Sequence, residues 1–138
     1  MARPLLLDTC ATIWIVDNAP LSDAAVAAID EAWDIGEPLR VSPITAWEMG
    51  LLVSRGRMPS VISPALWFRR LSSQPSVKLE DLTPDILINS SALPGTPPRD
   101  PADRIIITTA REVGLTIVTR DRLILDYAAQ GHVSALAC

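Results

Sequence analysis

Lysine is almost absent from this 138-residue chain. Lys78 is the only one, and the other eleven of its twelve basic residues are arginines. Positive charge is short overall, with 16 acids against 12 bases and a net charge of −4, which argues against a broad basic surface for nucleic acid. The arginine bias suits bidentate pairing with carboxylate or phosphate, and a GC-rich genome produces the same bias. Cysteine is scarce too: Cys10 and Cys138 sit at opposite ends, which gives no zinc motif and no disulfide framework. Long apolar runs are missing. Met1-Ala2-Arg3-Pro4 leads into three leucines before Asp8 interrupts. A secretory core needs about 7–15 apolar residues and a membrane span about 20, so the expectation is a soluble, cytoplasmic protein with no membrane partner. No internal repeat or low-complexity tract is visible.

What is present reads as an ordinary globule. Hydrophobic residues make up 49% and charged ones 20%, which excludes a disordered tail. The length suits a single domain over 1–138, large enough to bury roughly two thirds of its unfolded surface without staples. The proline- and glycine-rich stretch LPGTPPR (93–99) reads as an exposed loop.

Short apolar runs alternate with helical patterns. Leu5-Leu6-Leu7 is continuous, as in a strand buried on both faces. Helices are expected over 9–17 and 22–35, the latter capped by Ser22 or Asp23 with Val26, Ile29 and Trp33 on one face. A short strand spans 39–42, and Ser42-Pro43 opens a helix running to about Arg55. Helices follow over 63–72 and from Thr83-Pro84 to about Leu93, with 77–79 as a strand between them. Asp100-Pro101 starts the strongest helix, closed by Gly114. A strand over 115–119, a helix over 122–130 and a last strand over 133–136 complete the pattern. Strands separated by helices imply a three-layer α/β/α fold around a central, mostly parallel sheet of four or five strands. Its ligand site belongs at the carboxyl ends of the strands.

The informative residues are acids in apolar surroundings. Asp8 closes the run Leu5-Leu6-Leu7, and alone it reads as a helix cap. Glu48 falls on the apolar stripe of Ile44, Trp47, Leu51 and Leu52, where an unpaired buried charge costs several kcal/mol. It needs a cation, a metal, hydrogen bonds, or a helix turned so that it reaches a rim. Asp103 extends the face of Ile106, Ile107, Ala110, Val113 and Gly114 by one turn, with Arg104, Thr108 and Arg111 opposite. A capping pair with Asp100 accounts for Asp100 and leaves the placement of Asp103 unexplained. Asp121 ends the run Thr116 to Arg120 just before a helix, where capping is again an option.

As a set, Asp8 and Asp121 leave one edge of a parallel sheet, while Glu48 and Asp103 come from the first turns of helices that begin there. Four carboxylates then converge on a small volume, stable only if cations bind or some acids are protonated. Carboxylate oxygens without His or Cys favour a hard ion, Mg²⁺ or Mn²⁺, the chemistry of metal-dependent phosphodiester hydrolysis. Thr9 and Thr119, each beside an acid, either orient these groups or cap the backbone.

The pieces LLLDT (5–9), SPITAWE (42–48), DPADRIIITTA (100–110) and TIVTRD (116–121), in this order, resemble PIN-domain ribonucleases, most closely VapC-type toxins of type II toxin–antitoxin systems. The resemblance implies a PIN-like fold and an Mg²⁺- or Mn²⁺-dependent endoribonuclease. It maps the family's catalytic and metal-binding acids onto Asp8, Glu48, Asp103 and Asp121, with Asp100 secondary. It also implies an RNA substrate, a cognate VapB-type antitoxin and a homodimer. Cys10 stands where relatives carry a polar residue or His, and it is assigned no role. The 93–99 loop either shapes RNA access or is a variable connection. Trp14, Trp33, Trp47 and Trp67 read as core or dimer contacts. Leu66 to Arg70 reads either as an antitoxin groove or RNA-side patch, or as a helix with one apolar and one basic face.

Other classes fit less well. A haloacid-dehalogenase-like phosphatase needs a second Asp two residues after the first, where this chain has Cys10. A receiver-type phospho-acceptor needs a lysine ending a late strand, and Lys78 is in mid-chain. A non-catalytic PIN scaffold that binds RNA or a protein partner is the remaining alternative, and retention of all four acids argues against it. Set these four aside and the other twelve acids equal the bases in number, so the net negative charge is the proposed metal site itself.

Overall fold

The computed structural model describes residues 4–58 and 62–138. Residues 1–3 of the Met1-Ala2-Arg3-Pro4 stretch therefore lie outside the described part. Among the described residues the chain forms β1 (Leu5–Leu7), α1 (Thr9–Val16), α2 (Asp23–Asp34), β2 (Leu39–Val41), α3 (Ile44–Ser54) and α4 (Pro64–Ser72). It continues with β3 (Val77–Leu79), α5 (Pro84–Asn89), α6 (Pro101–Val113), β4 (Thr116–Thr119), α7 (Arg122–Ala129) and β5 (Ser134–Ala137).

The five strands form one parallel sheet in the order β3-β2-β1-β4-β5. The chain builds outward from β1 through β2 to β3, then returns to pair β4 on the other side of β1, with Leu6 opposite Ile117 and Leu7 opposite Val118. The crevice at the carboxyl ends of β1 and β4 is thus the point where the strand order reverses, the usual ligand position in such sheets. Helices cover both faces, and two apolar clusters divide the core. Leu6 and Ile117 pack with Ile106, Ile107, Ala110, Ile124 and Tyr127 on one face. Leu5, Leu7 and Val118 pack with Ala11, Ala25 and Val41 on the other. Every residue of β1 is buried, which is why its sequence is an unbroken apolar run.

Three helices present different faces from those expected. On α2 the buried residues are Ala25 and Ala32, while Val26 is exposed and Trp33 is 73% exposed. Small side chains let this helix lie close to the sheet; Ile29 packs partly buried against the core, while Val26 and Trp33 turn outward. On α3 the buried residues are Thr45 and Met49, and Trp47 is 55% exposed. That helix is apolar almost all round, so its sequence carries little contrast from which to read its rotation. On α6, Thr108 is buried and Val113 exposed, the reverse of the expectation. The Thr108 and Thr109 hydroxyls each donate to the carbonyl four residues back, at 2.8 Å, and so enter the core already satisfied.

The 93–99 loop is tied down. The Tyr127 hydroxyl donates to the Pro94 carbonyl at 2.5 Å, and Arg104 Nε donates to the Pro98 carbonyl at 2.7 Å. Gly95 has φ +68°, and a Cβ there would lie 2.5 Å from His132 Nε2, so the turn requires glycine. Among the described residues no helix is long and apolar enough to cross a membrane.

Candidate active site

Asp8, the N-cap of α1, stands at the carboxyl end of β1. Its Oδ1 accepts from the Ala11 amide at 2.7 Å. Its Oδ2 accepts from the Thr119 hydroxyl, which reaches across from β4. Thr119 Oγ1 in turn accepts from the Asp121 amide at 2.9 Å, so one hydroxyl links the ends of both central strands. Asp121 caps α7 through Oδ1, which accepts from Leu123 and Ile124. Asp100 caps α6 by accepting from the Asp103 amide at 2.9 Å. Capping and site membership are therefore compatible: a carboxylate has two oxygens, and one suffices for the cap.

Glu48 is the fifth residue of α3, a turn later than expected. It is half-buried, beside the buried line of Thr45 and Met49 rather than within it. Its Oε1 accepts from the Thr9 hydroxyl at 2.5 Å, and Thr9 Oγ1 lies 3.2 Å from Thr45 Oγ1. Glu48 thus reaches the rim of the crevice, and its partner is a hydroxyl, not a cation. Asp103 is half-buried on the first turn of α6, next in line to the buried Ile106 and Ile107.

The four acids, with Thr9 and Asp100, line one cleft of about 530 Å³. Sequence reasoning did not assign Cys10, Trp14, Ile106 or Arg120 to it, yet all four also line it. Trp14, expected as a core or dimer contact, packs partly buried against the core and also lines the cleft. Arg120 sits inside TIVTRD beside Asp121, and that adjacency was the available signal.

Electrostatics bear out the crowding. Asp8 is held above the usual carboxylate range, chiefly by burial and in part by Asp121, against hydrogen bonds from Thr119 and Ala11 that favour the charged form. Glu48 is raised by burial and then by Asp100 and Asp8, with the Thr9 hydroxyl opposing. Asp103 is pushed up to about 7, first by burial, then by Asp121, Asp100, Glu48 and Asp8. Cys10 probes the same field. Its thiol rises to about 11 through burial and the charges of Asp8, Glu48, Asp121 and Asp103, which keeps it protonated and unreactive.

A cation would relieve this repulsion, and an all-oxygen donor set suits a hard one. Among the described residues, however, no group of three or more His, Cys, Asp or Glu side chains is arranged to hold a metal ion. The acids share a cleft without forming a finished coordination shell.

A parallel α/β protein with a carboxylate-lined cleft at its strand-order reversal is a recognisable class. The PIN domain model matches residues 5–130. Ribonuclease VapC22 of Mycobacterium tuberculosis (strain ATCC 25618 / H37Rv) is 35% identical over 122 residues, covering 88% of this chain and 89% of that protein. Among solved structures, DNA-bound VapBC from Salmonella typhimurium aligns with a TM-score of 0.67 at 17% identity, covering 98% of each chain. VapBC2 from Rickettsia felis, bound to a DNA fragment from their promoter, aligns with a TM-score of 0.67 at 13% identity, covering 96% of this chain and 97% of that one. The chain belongs to the PIN domain family, and within it to the VapC-type ribonucleases.

Proposed function

We propose that this chain is a divalent-metal-dependent endoribonuclease, the toxin of a toxin–antitoxin pair, which hydrolyses RNA phosphodiesters at the cleft of Asp8, Glu48, Asp103 and Asp121. The observation that carries the reading is the convergence of four acids, without an ion pair to any base among the described residues, in a member of the VapC ribonuclease family. These four residues would hold Mg²⁺, with Mn²⁺ as a substitute. When bound, such an ion supplies a water activated for attack and a counter-charge for the phosphate oxygens.

The protein's own groups act around that centre. Thr119 and Thr9 fix the rotamers of Asp8 and Glu48 through their hydroxyls. Asp100 caps α6 and adds to the negative field that raises Asp103. The amino ends of α1, α6 and α7 point partial positive charge at the cleft, which favours the ionised acids and an incoming phosphate. The solved neighbours are VapBC complexes, which supports a VapB-type antitoxin as partner. A homodimer is part of the same reading, in keeping with the exposed Trp33 and Trp47.

The test is cleavage of single-stranded RNA by purified protein with Mg²⁺ or Mn²⁺, and growth arrest on induced expression. Both should disappear in Asp8→Asn, and cleavage should stop in EDTA. Full activity in either condition would contradict the reading. RNA binding without cleavage in any divalent ion would favour the scaffold alternative, which draws on the unfinished coordination shell.

A further inference from the structure

Among the described residues, Arg120 is the only basic one that lines the acidic cleft. It is not used to neutralise the acids. The ion pairs among the described residues join Arg40 to Glu37 and Glu80, and Lys78 to Glu80. Instead, Arg120 Nε donates to the Cys138 carbonyl at 2.9 Å, and Nη2 donates to the Pro20 carbonyl at 2.5 Å. Its guanidinium carbon lies 3.9 Å from the centroid of the Trp14 ring. Two carbonyls and an aromatic face thus set the plane of an exposed cation. Five N–H donors are present and these two bonds engage two of them, so a planar fork is left over.

We infer that Arg120, held flat against Trp14, grips a phosphate of the RNA strand beside the bond being cut. This rests on the ribonuclease reading. A polyanion entering a cleft of carboxylates meets repulsion, offset by bound cations, by the helix amino ends and, as the one full positive charge on a described lining side chain, by this guanidinium. Arg120 arrives already ordered, so little side-chain entropy is lost on contact. Trp14 has two roles, as the platform that holds the cation and as part of the cleft wall. Any bonds to the phosphate would be charge-assisted and bidentate, the pairing for which Arg is best suited.

Two measurements test it. The first is anisotropy of a 5′-fluorescein-labelled single-stranded RNA oligonucleotide across a range of salt, comparing Asp103→Asn with Asp103→Asn/Arg120→Gln so that cleavage does not intervene. Loss of Arg120 should weaken binding about tenfold and reduce the salt slope by about 0.7, the value for one phosphate contact on a single strand. The second is steady-state cleavage by Arg120→Gln, in which KM should rise about tenfold with kcat within about threefold of wild type. Trp14→Phe keeps an aromatic platform and should bind as wild type does, whereas Trp14→Ala should lose about threefold. Unchanged affinity, salt slope and KM in Arg120→Gln, with a lowered thermal midpoint, would overturn the inference and leave Arg120 as a tie for the chain's carboxyl end. No binding by Asp103→Asn would overturn it as well. A wild-type protein that binds RNA with this Arg120 dependence and never cleaves it would instead defeat the ribonuclease reading.

Discussion

Asp8 and Glu80 make an instructive pair. Each directly follows a strand of the same sheet, and they are equally hidden, at 6% and 7% exposure. Glu80 is met by the Arg40 guanidinium at 2.5 Å and by Lys78 at 3.9 Å, and Arg40 also holds Glu37 at 2.9 Å. Asp8 has a hydroxyl, an amide and further acids around it, and its carboxyl is raised accordingly. The fold therefore supplies a cation where a buried carboxylate only has to be stable. At the strand-order reversal the described residues place no base beside Asp8. A buried carboxylate without a basic partner is costly, and the proposed function accounts for it with a cation taken from solution.

The sharpest way to break this contrast is to neutralise each side. Asp8→Asn keeps the cap on α1, since Asn caps as well as Asp does. It should reduce RNA cleavage by about a thousandfold or more while thermal stability without metal stays level or rises. Glu80→Gln should do the opposite. It leaves Arg40, whose buried Nε has no partner among the described residues, with Glu37 as its remaining counter-charge, and should cost about 2 kcal/mol in urea unfolding. Its kcat/KM, measured well below the midpoint, should remain near wild type. Loss of activity in Glu80→Gln at full folding would erase the distinction between the two carboxylates.

Removal of one supporting hydroxyl is a milder intervention. Thr119→Val deletes the donor to Asp8 Oδ2 and the acceptor for the Asp121 amide. Cleavage should fall about tenfold, and the acid limb of its pH profile should move to higher pH, because the hydroxyl favours ionised Asp8.

The smallest expected effect is on stability against pH. Asp103 titrates near 7 in the folded, metal-free protein, up from 3.8. Over that interval the folded state holds more protons than the unfolded state, so stability falls as pH rises from about 4 to 7. With allowance for its partial exposure the change is about 1 kcal/mol, a few degrees in thermal midpoint. Asp103→Asn should weaken the dependence, leaving the part due to the raised Asp8 and Glu48, and Mg²⁺ or Mn²⁺ should restore the midpoint at pH 8. A midpoint that climbs steadily from pH 4 to 7 without metal would contradict the origin assigned to the shift.

Much of the fold was legible in the chain. The runs at 5–7, 77–79 and 115–119 gave strands, the last starting at Thr116, and Ser22, Ser63, Thr83 and Asp100 became helix caps, because both signals act through nearest neighbours. Helix rotation was less legible. Trp33 and Trp47 face outward because alanines in α2 and a threonine–methionine pair in α3 fit the space against the neighbouring layers. Close packing chooses by shape as well as by hydrophobicity. In the cleft, the acids stood out because charge in an apolar setting is anomalous wherever it occurs. Trp14 and Arg120 did not, since a tryptophan among apolar residues and an exposed arginine are both ordinary.

The sequence by itself determined the alternation of strands and helices, the acids at strand and helix ends, and the negative balance that those acids account for. These are local properties: periodicity, capping and charge are written within a few residues. Tertiary structure decided that β4 returns to the side of β1 opposite β2, and this brings Asp121 and Thr119 to Asp8 across more than a hundred residues of chain. It also decided that Arg120 lies on Trp14 rather than on a neighbouring acid. Strand order and cross-chain partners follow from the packing of the whole sheet and its helices, which no short stretch of sequence contains.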